Sequence, residues 1–124
     1  MIRTATFKTS MFDVSKETVN SINPIYGESL LLWIKEKANN DKHEISTPDY
    51  EDWGWYSYVE WNNRLYTLGA SSDEGTTWFF QITKDRSLKE KILGKEKFGI
   101  EDGCWQYFIS LLKGEANFLN IEAV

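Results

Sequence analysis

Cysteine, histidine, proline and long apolar runs are all scarce in this sequence. Its 124 residues include one cysteine, one histidine and two prolines. A single thiol, Cys104, makes no internal disulfide, so oxidation does not staple the fold and a reducing compartment is expected. The longest apolar run, residues 30–34, is far too short to cross a bilayer. The opening MIRTATFKTSMFDV lacks the apolar h-region of a secretory signal. A cytoplasmic protein without membrane association is expected.

The same scarcity leaves little equipment for chemistry. CxxC, HExxH and EF-hand spacings are missing, and one His with one Cys does not build a zinc site. Neither GxxxxGK(S/T) nor GxGxxG occurs, so no loop is built to cradle phosphate. Cys104 falls in the aromatic stripe of a predicted helix, where a free thiol behaves as a small buried hydrophobe. No catalytic residue, metal site or cofactor is expected, and the protein reads as non-enzymatic.

Rings and acids are what the chain has in quantity. Apolar residues make up 41% and aromatic residues 15% of the sequence, a globular composition in which rings supply the core. Buried Trp and Tyr need partners for their N–H and O–H groups. The net charge is −5, and its placement matters more than its size. Residues 41–60 carry Asp41, Glu44, Asp49, Glu51, Asp52 and Glu60 against Lys42 alone. Elsewhere thirteen acids and thirteen bases cancel. The excess therefore sits in one segment, which repels nucleic acid and attracts a basic partner.

Hydrophobic period divides the chain into elements of a single domain, residues 1–124. A first strand is expected over 4–9, and a short helical turn after Ser15. Asn23-Pro24 reads as the start of a helix running to about Ala38, with Tyr26, Leu30, Trp33 and Ile34 on one stripe. Residues 53–61 switch to the two-residue period of a strand. Asn62-Asn63 supplies a two-residue hairpin turn, and residues 64–70 return. The register then sets Trp61 opposite Arg64, Val59 opposite Tyr66, Ser57 opposite Leu68 and Trp55 opposite Ala70. Arg64 is expected to cover the Trp61 ring.

A third strand over 76–83 places Trp78, Phe80 and Ile82 inward and Phe79 outward. Ser87 with Glu90 fits a capping box for a short helix over 88–93, ended by Gly94. A last helix over about 101–113 aligns Trp105, Phe108, Ile109 and Leu112, and residues 118–124 form a final strand or a strap. The fold class is a two-layer α+β domain, an antiparallel β-meander packed against an N-terminal and a C-terminal helix. Its uncovered face is expected to show Tyr56, Tyr58, Glu60, Leu65 and Thr67.

The stretch DYEDWGWYSYVEW, residues 49–61, concentrates both ingredients. By strand parity Trp53 and Trp55 fall on the core side, with Gly54 marking a bulge or a close backbone approach. Glu51 and Asp52 serve either to fix the backbone there or to recognise a partner. Asp49, Glu51, Asp52, Tyr56, Tyr58 and Glu60 are the candidate partner-binding residues. Aromatic platforms for nucleic acid work beside a basic groove, and these stand beside acid.

With E-D-W-G-W at 51–55, GESLLLWIKE upstream and WGWYSYVEW following, the chain resembles a group of small uncharacterised bacterial proteins. Their signature lies between an N-terminal helix and a β-meander. In size, acidity and aromatic content it also resembles the immunity proteins of bacterial toxin systems. That likeness implies a cognate toxin with a basic domain as partner, found quickly by electrostatic steering and held by aromatic anchors. The alternative is a small-ligand-binding module or small enzyme with a pocket around Trp53, Trp55 and the neighbouring carboxylates.

Overall fold

The computed structural model describes residues 1–84 and 98–124. Along it run β1 (Ile2–Lys8), a 3-10 turn (Val14–Lys16), α1 (Glu28–Asn40), β2 (Asp49–Glu51), β3 (Gly54–Trp61), β4 (Arg64–Ser71), β5 (Thr77–Lys84), a second helix α2 (Gly103–Lys113) and β6 (Leu119–Ala123). The short helix expected over 88–93 lies outside the described residues. Among the described residues the architecture is α+β: one antiparallel sheet of order β2-β3-β4-β5-β1-β6, with two helices packed on one face.

The hairpin at Asn62-Asn63 forms as its chemistry requires. Both residues take left-handed backbone conformations, φ 50° and 60°, which match the twist of the flanking strands. The expected pairs Trp61 with Arg64, Val59 with Tyr66, Ser57 with Leu68 and Trp55 with Ala70 all form. Strands β2 to β5 follow one another as a meander. The sheet then continues through β1 and β6, the two ends of the chain, which pair beside β5.

One face is packed by rings. Trp55, Val59, Tyr66, Leu68, Trp78, Phe80, Ile82, Ala5 and Phe7 are buried beneath Leu30, Leu31, Ile34 and Ala38 of α1 and Cys104, Trp105, Phe108 and Leu112 of α2. The deep indoles find the partners they need: Trp55 Nε1 donates to the Ile25 carbonyl at 3.1 Å and Trp78 Nε1 to the Gly75 carbonyl at 3.2 Å. Ser57 is an exception, as is the Nε of Arg3. The Ser57 hydroxyl is buried on the same face with no hydrogen-bond partner among the described residues. Ser57→Ala is expected to raise the unfolding free energy by about 1 kcal/mol, because an unpaired buried hydroxyl costs more than the methyl that replaces it. A lower urea midpoint in that variant would show that the hydroxyl is in fact satisfied.

Helix α1 starts four residues later than Asn23-Pro24 suggests, at Glu28. Its free N–H groups are capped from a distance. Glu17 accepts from Gly27 N at 3.0 Å, Glu28 N at 3.2 Å and Ser29 N at 3.0 Å. Glu28 Oε1 in return accepts from Thr18 N at 2.7 Å, a reciprocal cap whose two halves lie ten residues apart. Asn20 and Asn23 have other work. Their side-chain amides donate to the carbonyls of Glu51 at 2.9 Å and Asp52 at 2.8 Å, tying the loop before α1 to the end of β2.

The expected strand over 53–61 is shorter at its start. Asp52 and Trp53 form the two-residue turn of a second hairpin, closed by the pair Glu51 and Gly54. Gly54 takes φ 148°, and a Cβ there would sit 2.6 Å from the Ala70 carbonyl oxygen. Parity is therefore broken at Trp53, which does not join Trp55 on the core side. The ring of Trp61 also departs from expectation: His43 stacks on it at 4.5 Å and Tyr107 lies 5.4 Å away, so these two rings cover it.

Candidate functional site

The face of the sheet opposite the helices carries Tyr56, Tyr58 and Glu60 from β3, Leu65 and Thr67 from β4, Phe79 and Gln81 from β5, and Thr4 and Thr6 from β1. Neither helix covers it among the described residues. Tyr58 and Leu65 are each 45% exposed and Phe79 51%, values that mark a surface rather than a second core. Tyr56 and Tyr58 meet edge to face with centroids 5.5 Å apart, an arrangement that fixes both rings.

The acidic segment borders this face because it forms the sheet edge. Ile45 bridges to Val59, Ser46 N donates to the Tyr58 carbonyl at 3.0 Å, and β2 continues the pairing with Asp49 opposite Tyr56. Asp49, Glu51, Asp52 and Glu60 are all exposed. The carbonyls of Glu51 and Asp52 hold the backbone through Asn20 and Asn23, while their carboxylates make no hydrogen bond or ion pair with a described residue. Asp49 Oδ1 accepts from Tyr50 N at 2.8 Å. Partial burial, with the Asp49 charge beside it, raises the pKa of the Tyr56 hydroxyl. Asp41 is spent differently: its Oδ2 accepts from the Tyr107 hydroxyl at 2.7 Å, at the helix side of the molecule.

The expected pocket shared by Trp53 and Trp55 does not form. Trp55 is 2% exposed within the core, whereas Trp53 is 40% exposed and folds over the opposite face. Its ring rests on Gly69, where a Cβ would sit 2.9 Å from both Cη2 and Cζ3. Beside it lies a trough of about 490 Å³ lined by Thr4, Thr6, Trp53, Ser71, Phe79 and Gln81, with Phe80. No family model, curated protein or solved structure matches the chain.

A second polar constellation lies under the helices. Asp102 caps α2, its Oδ1 accepting from Cys104 N at 3.0 Å and Trp105 N at 3.1 Å. Its Oδ2 accepts from the Tyr66 hydroxyl at 2.9 Å and Lys84 Nζ at 3.0 Å, in an ion pair almost closed to solvent. Burial alone raises the Asp102 pKa, but the Lys84 and Tyr66 hydrogen bonds and the Trp105 N–H outweigh it and hold the carboxyl below its ordinary value. Burial pushes the Cys104 thiol well up, so it stays protonated at neutral pH. Among the described residues no three His, Cys, Asp or Glu side chains gather in a form that holds a metal ion. No helix of the described residues is long and apolar enough to cross a membrane.

Sequence reasoning placed Asp49, Glu51, Asp52, Tyr56, Tyr58 and Glu60 together, and the sheet brings them to one edge and face. It set Trp53 on the core side in a pocket with Trp55 instead of on this face, and it left out the residues that β1 and β6 add. Glu122 is one of these, paired with Thr6 and so directed to the open face. Gly69 was the available signal for Trp53: a glycine at a strand centre without positive φ marks a place where another group lies against the backbone.

Proposed function

We propose that this protein binds a positively charged protein through the open face of its sheet, and that it serves as an immunity protein neutralising a toxin with a basic active surface. One observation carries the reading: exposed rings and exposed carboxylates, those of Glu51 and Asp52 without a partner among the described residues, share a face that neither helix covers. Such a face draws a basic partner in by its field and holds it by desolvated rings. The same field repels nucleic acid. The likeness of the chain's size, acidity and aromatic content to immunity proteins supports the same conclusion, as does a buried cysteine whose thiol stays protonated. An inhibitor made alongside its toxin works in the cytoplasm without a cofactor.

The trough beside Trp53 favours a second reading, a small-ligand module, since about 490 Å³ is within the range of ligand sites. Such a site would include Trp53 but not Trp55.

The triple charge reversal Asp49→Lys, Glu51→Lys, Asp52→Lys separates these readings. Against the protein encoded by the neighbouring reading frame, the association rate at low salt is expected to fall by about 10- to 1000-fold and dissociation to change little. The difference should shrink as salt rises past 0.15 M, where the screening length is about 8 Å. The fold should survive, because these side chains have no part in the core. An association rate equal to wild type would sink the electrostatic reading. Unfolding of the variant would make the carboxylates structural.

A further inference from the structure

The trough between Trp53 and Phe79 is walled by rings and floored by polar side chains. Two devices fix the Trp53 wall. Asn20 and Asn23 clamp the carbonyls of Glu51 and Asp52, which sets the turn that carries the indole. Gly69 then gives the ring a flat seat, since a Cβ there would meet Trp53 Cη2 and Cζ3 at 2.9 Å, as well as Gln81 Cγ at 2.8 Å. A glycine in a strand costs stability relative to a residue with a side chain. Here it holds a tryptophan rigid while leaving 40% of it exposed, which fits a ring awaiting a contact.

Charge identifies the contact. No charged side chain lines the trough itself, but strand register sets Glu51 on the same face toward the Trp53 turn and Glu122 opposite Thr6, while Asp49 and Glu60 lie further along that face. Lys8 is the single cation that the described strands direct to this face. Thr4, Thr6, Ser71 and Gln81 present hydroxyl and amide oxygens as acceptors. An indole face and hydroxyl and amide acceptors, set in a face whose strands carry an excess of acid, suit a planar cation. A neutral sugar would stack on the ring but gain nothing from the surrounding charge.

We propose that this trough receives an arginine side chain of the basic protein partner, its guanidinium stacked on Trp53. This rests on the reading of the open face as a docking surface, and adds the residue type that anchors it. Guanidinium is favoured over ammonium because it is planar, weakly hydrated and able to stack while donating from its edge.

Tetra-arginine and tetra-lysine peptides, equal in charge and length, test the proposal by titration into isotope-labelled protein. Tetra-arginine should bind about fivefold more tightly, the equivalent of about 1 kcal/mol for a cation–π contact. It should also shift the Trp53 indole N–H resonance. Trp53→Leu and Gly69→Ala should each erase the preference for arginine while leaving tetra-lysine binding as it was. Equal affinities in the wild type, or a preference that survives Trp53→Leu, would overturn the arginine site and leave the acidic docking surface standing. Failure of both peptides to bind at low salt would remove the docking surface with it. A Trp53 shift produced by maltotriose and by neither peptide would assign the trough to a sugar instead.

Discussion

Asp102→Ala is expected to cost about 3–5 kcal/mol, enough to unfold much of the population in a domain whose total stability is about 5–15 kcal/mol. The substitution removes three supports at once. Helix α2 loses the acceptor for its Cys104 and Trp105 N–H groups, a loss of about 1 kcal/mol. The Tyr66 hydroxyl loses its acceptor. The largest effect falls on Lys84, whose ammonium loses the Asp102 carboxylate at a site almost closed to solvent. Urea unfolding measures the sum. Lys84→Met should cost far less, since Asp102 would keep its cap and its Tyr66 bond, and the double variant should fall well short of additivity. A cost below about 1 kcal/mol for Asp102→Ala would mean that Lys84 relaxes to solvent.

The pH dependence of that network has a definite sign. Asp102 is held below its ordinary value of 3.8 in the folded state. Its contribution is therefore fully present above the unfolded-state value and is lost as pH falls through the folded one. Wild type should lose stability on acidification below about pH 4, and Asp102→Ala should show a shallower acid limb.

What the sequence disclosed follows the range of the interactions involved. The β3–β4 hairpin was legible to the residue because Asn62-Asn63 dictates a two-residue turn, and that turn fixes every pair along the strands. Helix α2 was legible because its apolar stripe is strong and its end falls at Gly114. The start of α1 was misplaced for the opposite reason. Its cap is Glu17, ten residues upstream, and the local candidate Asn23 is drawn with Asn20 into contacts with the E-D turn about thirty residues on. No local pattern encodes either choice. The positions of β1 and β6 beside β5 are equally non-local, joining the two ends of the chain.

The candidate face divides along the same line. Tyr56, Tyr58, Glu60, Leu65 and Thr67 alternate regularly, so parity alone sends them away from the helices. Asp49 and Glu51 follow once β2 is recognised as the edge partner of β3. Trp53 escaped because parity was carried through a residue that belongs to a turn. Thr4, Thr6 and Glu122 escaped because no pattern within β1 or β6 says which strand lies next to it.

The two tryptophans of the E-D-W-G-W segment should accordingly answer mutation in opposite ways. Trp55→Ala removes a fully enclosed indole and orphans the Ile25 carbonyl, with an expected cost of about 3–5 kcal/mol in urea or thermal unfolding. Trp53→Ala, two residues away, should cost about 1 kcal/mol or less, because its ring rests on the outer surface and supports no other core group. Binding should reverse the ranking. On the proposed docking mode, a folded Trp53→Ala protein should release its partner faster, since its ring would be the anchor, whereas any Trp55 variant that still folds should dock normally. Similar losses of stability at both positions would place Trp53 in the core after all. The seat offered by Gly69 would then belong to the folding of the hairpin and not to recognition.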